Sequence, residues 1–142
     1  MDSRTLTWTI FAACAAAAPL PAAAHGALAV GLPDDVAKKG VAIGFSFDYG
    51  NRAEAEARAL QECQAFMDAP PATRELCRVV DAFANACVVI ALDPDPGTPG
   101  VGWAIGGRTA ATELALQRCV DTAGEARKSF CKVVSARCDT TR

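Results

Sequence analysis

An α+β domain made of two pseudo-symmetric β-β-α-β units is predicted by three observations: a repeated internal alignment, alternating apolar periods within each repeat, and widely spaced cysteines. Residues 27–44 align without a gap to residues 87–104 at a shift of 60, matching Leu32 with Leu92, Gly40 with Gly100 and Val41 with Val101. A shift of 56 then places Gly50 on Gly106, Arg52 on Arg108, Ala59 on Ala115, Leu60 on Leu116 and Cys63 on Cys119. The change of shift puts four extra residues in the first copy near Phe47–Gly50. Each copy closes on a Cys-basic-Val-Val string, Cys77-Arg78-Val79-Val80 and Cys131-Lys132-Val133-Val134. Ordered matches of this kind mark an internal duplication, with copies at about 26–84 and 85–138. No long linker or low-complexity tract separates them, so a single interlocked antiparallel-sheet domain with two helices is expected over 25–142.

Each element has a local reason. Val41, Ile43, Phe45, Phe47 and Tyr49 alternate with Ala42, Gly44, Ser46 and Asp48, a period of two that assigns the large groups to one sheet face. Val101, Trp103 and Ile105 repeat the pattern. Asn51 followed by Glu54 resembles a capping box, and Ala53, Ala57, Leu60, Cys63 and Met67 fall at helical spacings on one predicted face. The second helix is predicted from about Arg108 to Val120, with Leu116 and Cys119 on the matching face. The short β-branched Val-Val strings after Cys77 and Cys131 read as strands. Pro70-Pro71 reads as a break, and the loops 33–39 and 93–99 as hairpin connections.

The first 24 residues have the tripartite pattern of a secretory signal peptide: Arg4, an uncharged apolar run over Leu6–Ala18, and small Ala22 and Ala24 before the expected cut. The run is too short for a stable membrane span, so no transmembrane segment is expected after cleavage. Phe11-Ala12-Ala13-Cys14 also resembles a lipobox, which makes a lipoprotein anchored through Cys14 the minor alternative to a periplasmic or secreted protein. Cleavage leaves Cys63, Cys77, Cys87, Cys119, Cys131 and Cys138. An even set in an exported chain indicates disulfides. Six cysteines allow 15 connectivities, and the duplication favours Cys63–Cys77 with Cys119–Cys131, leaving Cys87–Cys138.

With these features, the Gly-Ala-Leu-Ala strand at 26–29, the helix 51–63 ending in Cys63 and the two Cys-x-Val-Val strings, the chain resembles the bacterial domain-of-unknown-function family 4189. The resemblance spans 26–138 and implies export and a disulfide framework, with no agreed activity.

Lys+Arg 14 against Asp+Glu 16 gives a net charge of −2, with no basic surplus for nucleic acid. His25 is the only histidine, which removes Ser-His-Asp and Cys-His catalysis, and no Cys-x-x-Cys is present for redox work. No cofactor or metal is expected: the cysteine gaps are too wide for zinc, and Asp93 and Asp95 only partly imitate a calcium loop. The expectation is an exported, non-enzymatic binding protein acting on a protein or envelope component. The alternatives are an envelope enzyme using the hairpin carboxylates Asp34, Asp35, Asp93 and Asp95, or a purely structural envelope protein. Phe45, Phe47, Tyr49 and Trp103 form an aromatic row that reads first as core and, wherever exposed, as the candidate binding face.

Overall fold

The computed structural model describes residues 23–139; residues 1–22 of the expected signal segment 1–24, with Cys14, lie outside them. The elements run β1 (His25–Gly31), α1 (Val36–Lys39), β2 (Ala42–Tyr49), α2 (Arg52–Gln64), α3 (Pro71–Arg74), β3 (Arg78–Ala84), β4 (Cys87–Leu92), β5 (Val101–Gly106), α4 (Arg108–Ala123), a 3₁₀ turn at Lys128–Phe130, and β6 (Lys132–Cys138). Each copy supplies one three-stranded antiparallel sheet, ordered β2-β1-β3 and β5-β4-β6. The two expected helices are α2 and α4. α1 and α3 are single turns, capped by Asp35 and opened by Pro71, the proline tolerated at a first helical position where its missing N–H costs nothing.

The layers run helix, sheet, sheet, helix. Ala27 and Ala29 of β1 pack with Ala55, Ala59 and Cys63 of α2, and Val89 and Ala91 of β4 pack with Ala111, Ala115 and Cys119 of α4. The opposite faces meet in a third cluster, where Leu28 and Val30 of one copy face Val88 and Ile90 of the other. Central strands β1 and β4 are thus covered on both sides, which explains their near-continuous apolar sequence. Alanine fills the helix side because the helices lie close; the larger aliphatics fill the seam.

That close approach rotates α2 away from its expected face. Ala55, Ala59 and Cys63 are buried, whereas Ala53 and Ala57 are exposed and Met67 is 79% exposed. The smallest side chains, not the longest apolar row, decide which face can sit against Gly44.

The duplication is visible in the registers. Ala27 pairs with Ser46 as Cys87 pairs with Gly106, and the shift of 60 holds residue by residue through Gly31–Ala42 and Ala91–Gly102. The extra residues of the first copy lengthen β2, whose ladder shifts between His25 and Ala27 at a bulge beside Asp48, with φ of 61°. The bulge corrects one expectation: Tyr49 packs on the α2 side, while Phe45, Phe47 and Trp103 lie in the seam between sheets. One residue inserted into a period-two strand flips everything beyond it.

The second difference is a slide. Gly44 lies under Ala59 and Cys63, whereas Gly102 lies under the equivalent Ala115 and Cys119, although the strand register would place position 104 there. The strand ends move too: Val79 pairs with Ala29, but the equivalent Val133 pairs with Ala91, two residues further along. Helix and strand start are joined by Cys63–Cys77 in one copy and Cys119–Cys131 in the other. Each disulfide-linked corner therefore moves as a unit, by about 7 Å along the hairpin. The third disulfide, Cys87–Cys138, closes β4 onto β6, where the first copy has the register pair Ala27–Ala82.

Candidate functional site

Both hairpin loops line one cleft of about 660 Å³, with Val36–Val41 on one wall and Asp93–Thr98 on the other. The four carboxylates weighed for catalysis are engaged around it. Asp35 accepts the Lys38 N–H at 3.1 Å as the cap of α1, and Asp34 accepts a 2.6 Å hydrogen bond from Lys39 Nζ. Asp93, its side chain fully buried, takes both arms of Arg127: Nε donates to Oδ2 at 2.7 Å and Nη2 to Oδ1 at 2.8 Å. The same Nη2 reaches Asp95 Oδ2 at 2.5 Å, and the guanidinium lies 4.0 Å from the centre of the Phe130 ring. The Arg127 hydrogen bonds hold the Asp93 carboxyl below its ordinary value of 3.8. Lys39 does the same to Asp34. A general acid needs the opposite shift.

The sign of the pH dependence follows. A carboxyl depressed in the folded state stabilises above its unfolded value, and that contribution is lost as pH falls through the folded one. Thermal midpoints recorded from pH 6 to pH 2 should therefore fall below about pH 4, and Arg127→Met should flatten that part of the profile while lowering the midpoint at pH 7. An unchanged profile would show that the clamp contributes nothing to stability.

Asp139, just beyond β6, behaves differently. It is 5% exposed, its Oδ1 accepts the Asp48 N–H of the β2 bulge at 3.0 Å, and burial pushes its carboxyl up. It ties the end of the second copy to the irregularity of the first.

Two smaller grooves flank the edge strands and are equivalents of one another. One, of about 410 Å³, lies between Ile43–Phe45 and the end of α2, with Phe66 and Met67 on one side and Leu92 and Val134 of the other copy on the other. Its counterpart, of about 310 Å³, lies between Val101–Trp103 and α4, with Leu32 from the first copy. Phe45 and Trp103 thus border open grooves while packing into the seam, Phe47 is stacked edge-on against Phe45 and Phe83, and Tyr49 is separated from the row. Nothing in the sequence points to Arg127, which is 34 residues from Asp93 with no local pattern connecting them; periodicity places Met67 on a helix face and Val134 in a strand without showing that both are exposed on the groove. Among the described residues no group of three or more His, Cys, Asp or Glu is placed to hold a metal. No helix there is long and apolar enough to cross a membrane.

Fold and site together define a duplicated, disulfide-stapled α+β protein whose hairpin acids are held in ion pairs and whose edge strands border apolar grooves. The chain belongs to the family described as Domain of unknown function (DUF4189), which matches residues 25–138, from the first residue of β1 to the last of β6. No curated protein and no solved structure matches it.

Proposed function

We propose that this is an exported, non-enzymatic binding protein of the bacterial envelope or secretome, released by cleavage after Ala24 and acting on a protein or envelope component rather than on nucleic acid. The observation that carries the reading is the engagement of the hairpin acids: Arg127 holds Asp93 and Asp95, and Lys39 holds Asp34, so the cleft offers ion pairs where a hydrolase needs a free acid and base. The three disulfides support an oxidising compartment.

The test begins with the exported protein, whose N-terminal residue should be His25. The oxidised protein, immobilised and exposed to an envelope extract and to culture medium, should retain one discrete partner at stoichiometric yield, and Asp93→Asn with Asp95→Asn should retain it equally. Failure across both fractions would turn the reading toward a purely structural role. Loss of a measured hydrolysis in that double variant, with its fold intact, would make the protein an enzyme.

A further inference from the structure

The two copies treat their edge strands differently, and the difference is chemical. In the second copy, Val101 N–H donates to Thr122 Oγ1 at 2.8 Å, Thr122 Oγ1 lies 2.9 Å from Val101 O, and Arg118 Nη1 donates to Trp103 O at 2.6 Å. Side chains of helix α4 thereby engage the outward Val101 N–H and the carbonyls of Val101 and Trp103, capping the start of the β5 edge. In the first copy the residues at the corresponding places on the groove wall are Glu62 and Phe66, neither of which supplies such a bond to β2. By the shared register, Ile43 and Phe45 present their N–H and C=O groups outward on an edge that no strand or side chain among the described residues covers.

We propose that the outer edge of β2 is the docking site for an extended segment of a protein partner, which adds a fourth strand and places a bulky apolar side chain in the adjoining groove. The occupant follows from what is open. A row of free backbone donors and acceptors at strand spacing is matched by another extended backbone, not by a helix. The groove beside it is lined by Phe66, Leu92, the 79% exposed Met67 and the 48% exposed Val134, so an apolar residue on alternate positions of the segment is what it accepts. Its one charged lining residue, Glu62, is already paired with Arg58. This rests on the binding reading above and names the surface and the partner's chemistry.

The probe is an end-blocked heptapeptide of alternating threonine and leucine, added to the oxidised full-length mature protein while amide hydrogen exchange is followed. Slowed exchange at Ile43 and Phe45, saturating with peptide and absent from β5, is the expected result. Glu62→Arg, which brings the second copy's edge cap to the first, should weaken peptide binding at least tenfold without changing the exchange of β1. Conversely, Arg118→Ala should leave binding at β2 intact. Binding that protects other strands, or that survives Glu62→Arg, would overturn the proposal. Protection of Ile43 that rises with protein concentration alone would identify a second copy as the occupant and overturn it likewise. A partner captured from the envelope extract that protects a different face would overturn this assignment while leaving the binding function standing.

Discussion

Gly44→Ala should abolish or severely reduce folding. The added Cβ would fall closer than 3.0 Å to Cys63 N, Ala59 O and Cys63 Cα, all backbone atoms of α2, so no side chain can swing aside. The helix would have to lift off a sheet against which Ala55, Ala59 and Cys63 are fully buried. Overpacking a tight core ordinarily costs up to about 3 kcal/mol, and a clash with helix backbone should reach or exceed that. Gly102→Ala, against Ala115 O and Cys119 N, should cost as much in the second copy. Gly50→Ala is the control: nothing lies within 4 Å of its Cβ. Chemical denaturation of the three variants checks the ordering, and a stable Gly44→Ala protein would show that α2 does not sit where it is placed here.

Removing the Cys87–Cys138 bond should be the costliest disulfide deletion. Its ends are 51 residues apart, against 14 and 12 for the other two. Chain-entropy arithmetic gives about 4 kcal/mol for the long loop and about 3 kcal/mol for each short one. Cys87→Ala with Cys138→Ala should therefore lower stability more than either corner pair changed to alanine. The first copy offers the reciprocal experiment, because Ala27 and Ala82 hold the same register as Cys87 and Cys138. Ala27→Cys with Ala82→Cys should oxidise to a fourth bond. An intact mass without the loss of two further hydrogens would show that the copies differ in strand separation there.

The architecture was legible because duplication writes itself in the residues that close packing constrains most: the cysteines at the corners, and Ala59 with Ala115 under the helices. What escaped was local inversion and distant pairing. The alternation from Val41 to Tyr49 is unbroken in sequence, yet Asp48 takes a left-handed conformation and sends Tyr49 to the helix side; aspartate tolerates that geometry without advertising it. The α2 face does not follow from periodicity because Ala53, Ala55, Ala57 and Ala59 look alike in sequence, while only Ala55 and Ala59 face the sheet, Ala59 directly against Gly44. Among the candidate acids, Asp93 and Asp95 could be named from the loop but their ion pairs could not be read from it, since Arg127 reaches them only after α4 has turned the chain back.

The slide of the disulfide-linked corner says how such a protein can change its length. From Cys77 to Ala82 the first copy spends five steps, and from Cys131 to Cys138 the second spends seven, yet both strands keep the same faces toward helix and seam. Side-chain direction in a strand has only two values, so growth by an even number of residues is silent to the core while growth by an odd number inverts it unless a bulge absorbs the remainder. The disulfide-linked corners of the two copies therefore differ by one whole notch of two residues along their hairpins, and the bulge at Asp48 is the place where an odd residue of β2 has been taken up.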